Sequence, residues 1–294
     1  MTLRQLHFVP PVLLLVAEAQ GLLAREGVSL QARRTTSSAE QMAALMSGEA
    51  DIAVTAMDNA FVWNEHGADV RIIGQVERST GLSVYAAGER RSLADLHGAR
   101  FAVDALSNGF AIIARWVLSE AGVTADFVQI GGVTERLDAL LDGRVDATLL
   151  GPPFDAMADA AGVTRIASVD TVLPSYPGQG ILVRAQRTPS EDEELRAYLR
   201  ALTEAVSVAD AMERGSGAEL ITQSGVPRGS AEALWESRPA SLRVDPEGLK
   251  VLETLRSDLG LMPGGASGRL DLIQEVCLDL PNESSQTDAH KEMQ

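Results

Sequence analysis

The chain has 294 residues, 45% of them apolar and 22% charged, enough to build one large globular domain or two of ordinary size. A formal net charge of −16 argues against the basic footprint of a nucleic-acid binder, while leaving room for a few arginines to hold an anion inside a cleft. The basic residues are nearly all Arg; with lysine at Lys250 and Lys291 alone, a Schiff-base mechanism has almost no candidate, and one cysteine, Cys277, excludes an internal disulfide and a cysteine-based metal centre.

In chain order, "LRQLHFV" predicts a strand. Pro10-Pro11 then opens a helix expected to run to about Glu26, where Gly27 stops it. "VSLQARR" alternates as a strand, Ser37 or Ser38 caps a helix ending at Gly48, and "DIAVTA" is a strand followed by the helix "MDNAFVWNEHG". "RIIGQV" and "LSVYAA" are strands. A second series follows: the short turn "SLADLHG", strand "RFAVDA", loop "LSNGF", helix "AIIARWVLSEAG", strand "DFVQIGG", helix "VTERLDALLDG", strand "VDATLLG", helix "PPFDAMADAAG" and strand "GQGILVRA". From Ser190 the chain reads as helical, with a capping box of Ser190 and Glu193 at the start, a helix "GRLDLIQEVCLDL" near the end that would bury Cys277, and a polar, disordered tail over 282–294. Alternating strands and helices imply parallel sheets with right-handed crossovers.

The two series share a phrase. "ALMSGEADIAV" from Ala44 and "ALLDGRVDATL" from Ala139 each end a helix at glycine and enter a strand after aspartate, 95 residues apart. Gly48, Asp51, Gly143 and Asp146 are therefore read as scaffold that aims two different loops, "TAMDN" and "GPPF", at a common gap.

These phrases, with "VAEAQGLLAREGVSLQ", "HGADVRIIGQV" and "SLADLHGARFAVDALSNGFAIIARWVLSEAG", resemble periplasmic solute-binding proteins of the nitrate, sulfonate and thiamine-precursor (NMT1/THI5-like) group of ABC transporters. The resemblance covers roughly residues 3–185 and implies an α/β fold of type II, two Rossmann-like lobes joined by a hinge, with the helical segment packed on the first lobe. By implication lobe one is 1–84 with 184–281, lobe two is 85–183, and the hinge lies near Val84–Gly88 and Leu182–Arg184. The same fold carries enzymes, among them desulfinases, decarboxylases and a pyrimidine synthase. The cysteine-rich motif of the thiamine-pathway enzymes is missing here, and Cys277 lies in the wrong region for the desulfinase nucleophile.

Open α/β sheets bind ligands beyond the carboxyl ends of their strands, so the loops there are the candidate site. His7 and Phe8 follow the first strand; His7 is a base, a hydrogen-bond donor or polar packing. Thr36, Ser37 and Ser38 offer hydroxyls at a helix start, where capping explains one of them. Thr55, Asp58 and Asn59 follow the third strand, with Asp58 read first as an N-cap. Ser107, Asn108 and Gly109 form an anion site at a helix N-terminus or a plain capped turn. Phe154 stacks on a flat ligand or packs, and Tyr176 and Gln179 supply polar contacts near the hinge. Arg78 is the better acid partner, Arg115 being expected to face solvent. His66 suits a helix C-terminus, and His97 and His290 lie in a turn and the tail; with no His pair at ligand spacing, no metal and no cofactor are expected.

No nucleophile elbow, Walker loop or dinucleotide fingerprint is present. The expected function is binding of an anionic or aromatic-bearing small solute in a cleft. The alternative is a cytoplasmic acid–base lyase, decarboxylase or hydrolase using His7; a ligand sensor is a weaker third reading. The partners expected are the small-molecule ligand and, if the chain is exported, an ABC permease, with no nucleic acid and no membrane insertion. As written, without a visible leader, the chain is expected in the cytoplasm, and in the periplasm if a leader preceded it.

Overall fold

The computed structural model describes residues 2–262 and 272–274. The first sheet contains β1 (Thr2–His7), β2 (Ser29–Arg34), β3 (Ile52–Ala56), β4 (Val70–Gln75) and β10 (Gln179–Arg184), in the order β2-β1-β3-β10-β4. The second contains β5 (Ser83–Ala86), β6 (Arg100–Val103), β7 (Asp126–Gln129), β8 (Ala147–Leu150) and β9 (Thr164–Ser168), in the order β7-β6-β8-β5-β9. The two orders are the same pattern written twice, β6, β7, β8, β5 and β9 standing where β1, β2, β3, β10 and β4 stand. Each sheet is mixed, not parallel throughout as expected. β10 runs antiparallel to β3 and β4, and β5 antiparallel to β8 and β9, because each of these strands is the one that enters from the other sheet. β9 escaped sequence reading: it is a short, half-exposed edge strand without apolar alternation.

Helices fill the connections: α1 (Val12–Ala19), α2 (Leu22–Arg25), α3 (Ser38–Ser47), α4 (Asn59–Glu65), α5 (Gly109–Glu120), α6 (Val133–Leu141) and α7 (Phe154–Ala160). The single helix expected from Pro10 to Glu26 is two, because Gly21 adopts the left-handed conformation (φ 66°) between them. The tail contributes α8 (Pro189–Ala211), α9 (Arg214–Gln223), α10 (Arg228–Glu236) and α11 (Pro246–Asp258). The capping box of α8 is Thr188 with Glu191, two residues before the expected pair, since Pro189 takes the first helical position. Near the end, Ile273 bridges Ile72 of β4 in parallel and is extended where a helix was expected; Cys277, His290 and the 282–294 tail lie outside the described residues.

The repeated phrase is scaffold, and each copy has an arginine that sequence reading did not pair with it. Asp51 accepts from the Arg4 backbone N–H (2.9 Å) and its guanidinium (2.7 and 3.0 Å). Asp146 accepts from the Arg100 backbone (2.8 Å) and its guanidinium (3.0 and 3.2 Å) in the same way. Each pair ties one strand, β1 or β6, to the turn entering the sheet's central strand, β3 or β8.

The chain passes from the first sheet to the second between Gln75 and Ser83 and returns between Ser168 and Gln179. Both crossings precede the expected 84–88 and 182–184; Val84 is already inside β5, and Leu182 is well inside β10. The crossings run in contact, with Val76 N–H donating to Gln179 O (2.9 Å) and Gln179 N–H to the buried Glu77 carboxylate (3.1 Å). A Cβ on Gly178 would stand 2.5 Å from the Glu77 carbonyl, so glycine is what lets them lie this close.

One core packs α1, α2 and α8 on the first sheet around Leu13, Leu14, Tyr198 and Leu202. Another runs from the first sheet through Phe61 and Val84 to Phe101, Ile112 and Leu252, so it belongs to both sheets. The tail is likewise shared. α8 packs on α1 and α2 as expected of the first lobe, while α10 meets α7 and α11 meets α5 of the second.

Candidate functional site

The loop leaving β3 meets the loop leaving β6 at the carboxyl ends of their strands. The tightest contact is built on Asp58. It occupies the N-cap position of α4, yet its side chain makes no cap hydrogen bond. Instead its carboxylate takes the backbone N–H of Gly109 at the start of α5 and the guanidinium of Arg256 on α11, at 3.1 and 3.4 Å. This corrects the N-cap expectation: a buried carboxylate gains more from a cation and a free helical N–H across the gap than from its own helix. Asp58 and Arg256 are 1% and 0% exposed. Burial raises the Asp58 pKa to about 6, against the opposing pull of Arg256.

Arg256 ties three segments together. It donates to Asp58 of the first sheet's loops, to Ser107 O of the second's (3.2 Å), and to Leu261 O (3.0 Å), with its guanidinium 5.5 Å from the Phe61 ring. At the helix N-terminus over Ser107, Asn108 and Gly109, read from sequence as an anion site or a capped turn, the Gly109 N–H is taken by the protein's own Asp58 carboxylate. Tyr176 is buried beside it, its hydroxyl 3.7 Å from where a Cβ on Gly109 would be, and burial with the Asp58 charge raises its pKa.

Next to this contact Asn108 does not cap α5 either. Its amide donates to Asp104 Oδ2 (2.7 Å), which leaves Asp104 Oδ1 and Asn108 Oδ1 buried without a partner among the described residues. Arg136 of α6 is 2% exposed, stands over the Phe110 ring at 5.5 Å, and donates to Gly132 O and Leu149 O. A Cβ on Gly132 would be 2.8 Å from Thr36 O, so the first-sheet loop and the α6 N-terminus also meet here.

On the first-sheet side His7 is buried at the end of β1. Tyr198 OH donates to Gln5 Oε1 (2.6 Å), which turns the Gln5 amide N–H onto His7 Nδ1 (3.1 Å). His7 Nδ1 is then an acceptor and Nε2 carries the proton. Burial, helped by the nearby Arg34 charge, lowers the His7 pKa to about 4. The imidazole is thus neutral at physiological pH and serves as a donor.

The remaining expected residues divide. Thr55, near the end of β3, accepts from Asn59 at the start of α4 (2.7 Å), and both are buried. Ser37 caps α3 through Glu40 N–H (3.2 Å); Thr36 is exposed, and Ser38 and Phe8 are half-buried. Gln179 opens β10 with a buried, unpartnered Oε1. Phe154 packs in the second sheet's core with Tyr85 and Leu137. Arg78 turns to the tail, its side chain reaching Glu236 O (3.4 Å), and Arg115 is half-buried and donates to Leu106 O (3.0 Å). Arg256 and Arg136 were missed. Both carried a signal: in α11, Leu249, Leu252 and Arg256 fall at i, i+3 and i+7, and in α6, Val133, Arg136, Leu137 and Leu140 fall at i, i+3, i+4 and i+7. An arginine on an apolar helix face needs a buried partner.

No group of three or more His, Cys, Asp or Glu is placed to hold a metal ion among the described residues. A hollow of about 360 Å³ lies at the opposite, amino end of the first sheet, where Arg4, Arg184 and Arg187 are already paired with Asp51, Glu191 and Asp192.

The family model described as NMT1/THI5 like matches residues 12–213, more than half of the chain. The chain belongs to the NMT1/THI5-like family. No curated protein matches it by sequence. Among solved structures it is similar to the ligand-binding component of an ABC-type import system from Staphylococcus aureus, solved with zinc bound, at TM-score 0.79 and 14% identity over 94% of this chain and 97% of that one. It is also similar to the alkanesulfonate-binding protein SsuA from Xanthomonas axonopodis pv. citri bound to MOPS, at TM-score 0.72 and 18% identity over 89% and 94%. A Candida albicans gene product with the generic periplasmic binding protein fold gives TM-score 0.74 and 14% identity over 97% and 99%. These likenesses establish the fold, a two-sheet periplasmic-binding-protein architecture. In this NMT1/THI5-like chain, Arg136 falls inside the matched span and Arg256 outside it.

Proposed function

We propose that this protein binds a small solute between two lobes, one carrying each sheet, and releases it by rotation about the paired crossings at 76–82 and 169–178. The observation that carries the reading is the pairing of Asp58 with the Gly109 N–H and of Arg256 with Ser107 O. These polar contacts join the carboxyl ends of one sheet's strands to those of the other, which is the geometry of a closed cleft. The S. aureus import component and SsuA, named above for their own ligands, support a role in delivering the solute to an ABC permease. That role would place the protein outside the cytoplasmic membrane; among the described residues no helix is long and apolar enough to cross one.

The acid–base alternative rested on His7. A general base works best with a pKa near the working pH, whereas His7 is held near 4 with Nδ1 already accepting from Gln5. His7 Nε2–H is a hydrogen-bond donor to solute, and Thr55, Asn59, Tyr176 and Gln179 are the further polar groups available to it.

The test is native mass spectrometry of freshly purified protein, followed by thermal-shift screening of carboxylates, sulfonates, pyrimidines and purines on protein stripped by unfolding and refolding. A retained or added solute that raises Tm and shrinks the radius of gyration in X-ray scattering is the expected result. A protein that retains nothing and responds to no compound, or that converts a bound compound to product, would sink the reading.

A further inference from the structure

We infer that Arg136, with Asp104 and Asn108 beside it, selects the solute, and that the solute is a small zwitterion whose anionic group meets the Arg136 guanidinium while its protonated amine meets the free oxygens of Asp104 and Asn108. The inference rests on the solute-binding reading above.

The internal repeat provides the control. Gln41 stands four residues after the N-cap of α3, as Arg136 stands four after the N-cap of α6, and the two are 95 residues apart like the rest of the repeated phrase. Gln41 donates to Val54 O of β3 (2.9 Å); Arg136 donates to Leu149 O, the matching residue of β8 (3.3 Å). The task of tying helix to strand therefore needs a neutral amide and nothing more. The second lobe carries a full positive charge in its place. That charge is 2% exposed and makes no ion pair among the described residues; the Asp104 and Glu135 carboxylates act on it only from beyond contact distance.

The complementary deficit lies alongside. The Asn108 amide is fixed by its bond to Asp104 Oδ2, so Asn108 Oδ1 and Asp104 Oδ1 are both acceptors, both buried and both empty-handed. Asp104 is close enough to Arg136 for their charges to interact, yet the two make no ion pair. Asp58 and Arg256 satisfy each other and supply neither need. A water could serve the two oxygens but brings no counter-charge to the guanidinium. A molecule with an anionic end and an ammonium end supplies both.

The experiment is isothermal titration calorimetry on stripped full-length protein with glycine, β-alanine and 4-aminobutyrate as zwitterions, propionate as anion alone and propylamine as cation alone. Arg136→Gln installs the first lobe's own residue, so circular dichroism and Tm should report a folded protein; Arg136→Lys keeps the charge as a second variant. At least one zwitterion is expected to bind wild type about tenfold or more tighter than propionate and propylamine, with Arg136→Gln losing about tenfold or more. Asp104→Asn should abolish the preference for zwitterion over propionate. Undiminished zwitterion binding by Arg136→Gln, or propionate binding wild type as tightly as every one of the three zwitterions, overturns the inference. Wild type that ignores all five probes but retains a solute lacking either charge overturns it while leaving solute binding intact; wild type that retains and binds nothing removes both.

Discussion

His7 and Asp58 are buried ionisable groups whose pKa values move in opposite directions, and they give the protein opposite responses to acid. His7 falls from 6.5 to about 4 on folding. Between those values the unfolded chain holds a proton the folded chain refuses, so stability is lost as pH falls through that window, by up to about 3 kcal/mol. Asp58 rises from 3.8 to about 6, so its contribution is greatest below pH 3.8 and is lost as pH climbs to about 6. Urea denaturation of His7→Gln at pH 7.5, 5.5 and 4.5 is expected to show a shallower acid loss than wild type. A wild-type slope would mean that His7 is not the buried neutral donor described. Removing Arg256 leaves Asp58 buried without its cation: Arg256→Ala should cost about 3–5 kcal/mol. Pairing Asp58→Asn with Arg256→Met should cost less than the two single changes summed, and strict additivity would show that the pair is not coupled.

At the scale of elements, close approaches made possible by glycine position the helices and crossings around the site. A Cβ on Gly217 of α9 would lie 2.4 Å from the buried Trp235 ring of α10. Gly217→Ala is expected to lower unfolding free energy by roughly 1–3 kcal/mol, read as a shifted denaturation midpoint without loss of the fold. A neutral result would mean that α9 and α10 do not depend on this contact. Gly178→Ala acts elsewhere, against a carbonyl of the facing crossing, and a backbone oxygen cannot swing aside as a side chain does. It should weaken solute binding as well as stability, because the crossings are what the two lobes turn about. A variant with wild-type affinity and a merely lower Tm would assign the crossings a structural role alone.

For the whole molecule, the decisive feature is that the two sheets share one hydrophobic core and one polar contact. α11 belongs to the tail in sequence, but it packs on α5 and sends Arg256 between the lobes. Asp58→Ala should therefore raise the radius of gyration in X-ray scattering of solute-free protein, by removing the carboxylate that receives Gly109 and Arg256. If the scattering curve is unchanged, the contact accompanies closure without holding it.

Most strands and helices, the two-lobe repeat and the loops at the carboxyl ends of the strands were legible in the residues alone; the edge strand β9 and the break at Gly21 were not. Hydrophobic period, glycine stops and the "AL..G..D" phrase are local signals, and the local chain obeys them. His7, Asp58, Asn108, Gly109 and Tyr176 were singled out because they sit where such loops must be. The mixed sheets were not legible, since a strand's direction depends on which neighbour it enters beside. Nor was the use of Asp58: from sequence it is a helix cap, and across the gap a guanidinium from 198 residues away outbids that role. Sequence determined which loops leave the carboxyl ends of the strands. Only tertiary structure decided which of their side chains satisfy one another and which atoms, like Asp104 Oδ1 and Asn108 Oδ1, are buried without a partner among the described residues, because pairing depends on distances between segments that the linear order does not contain.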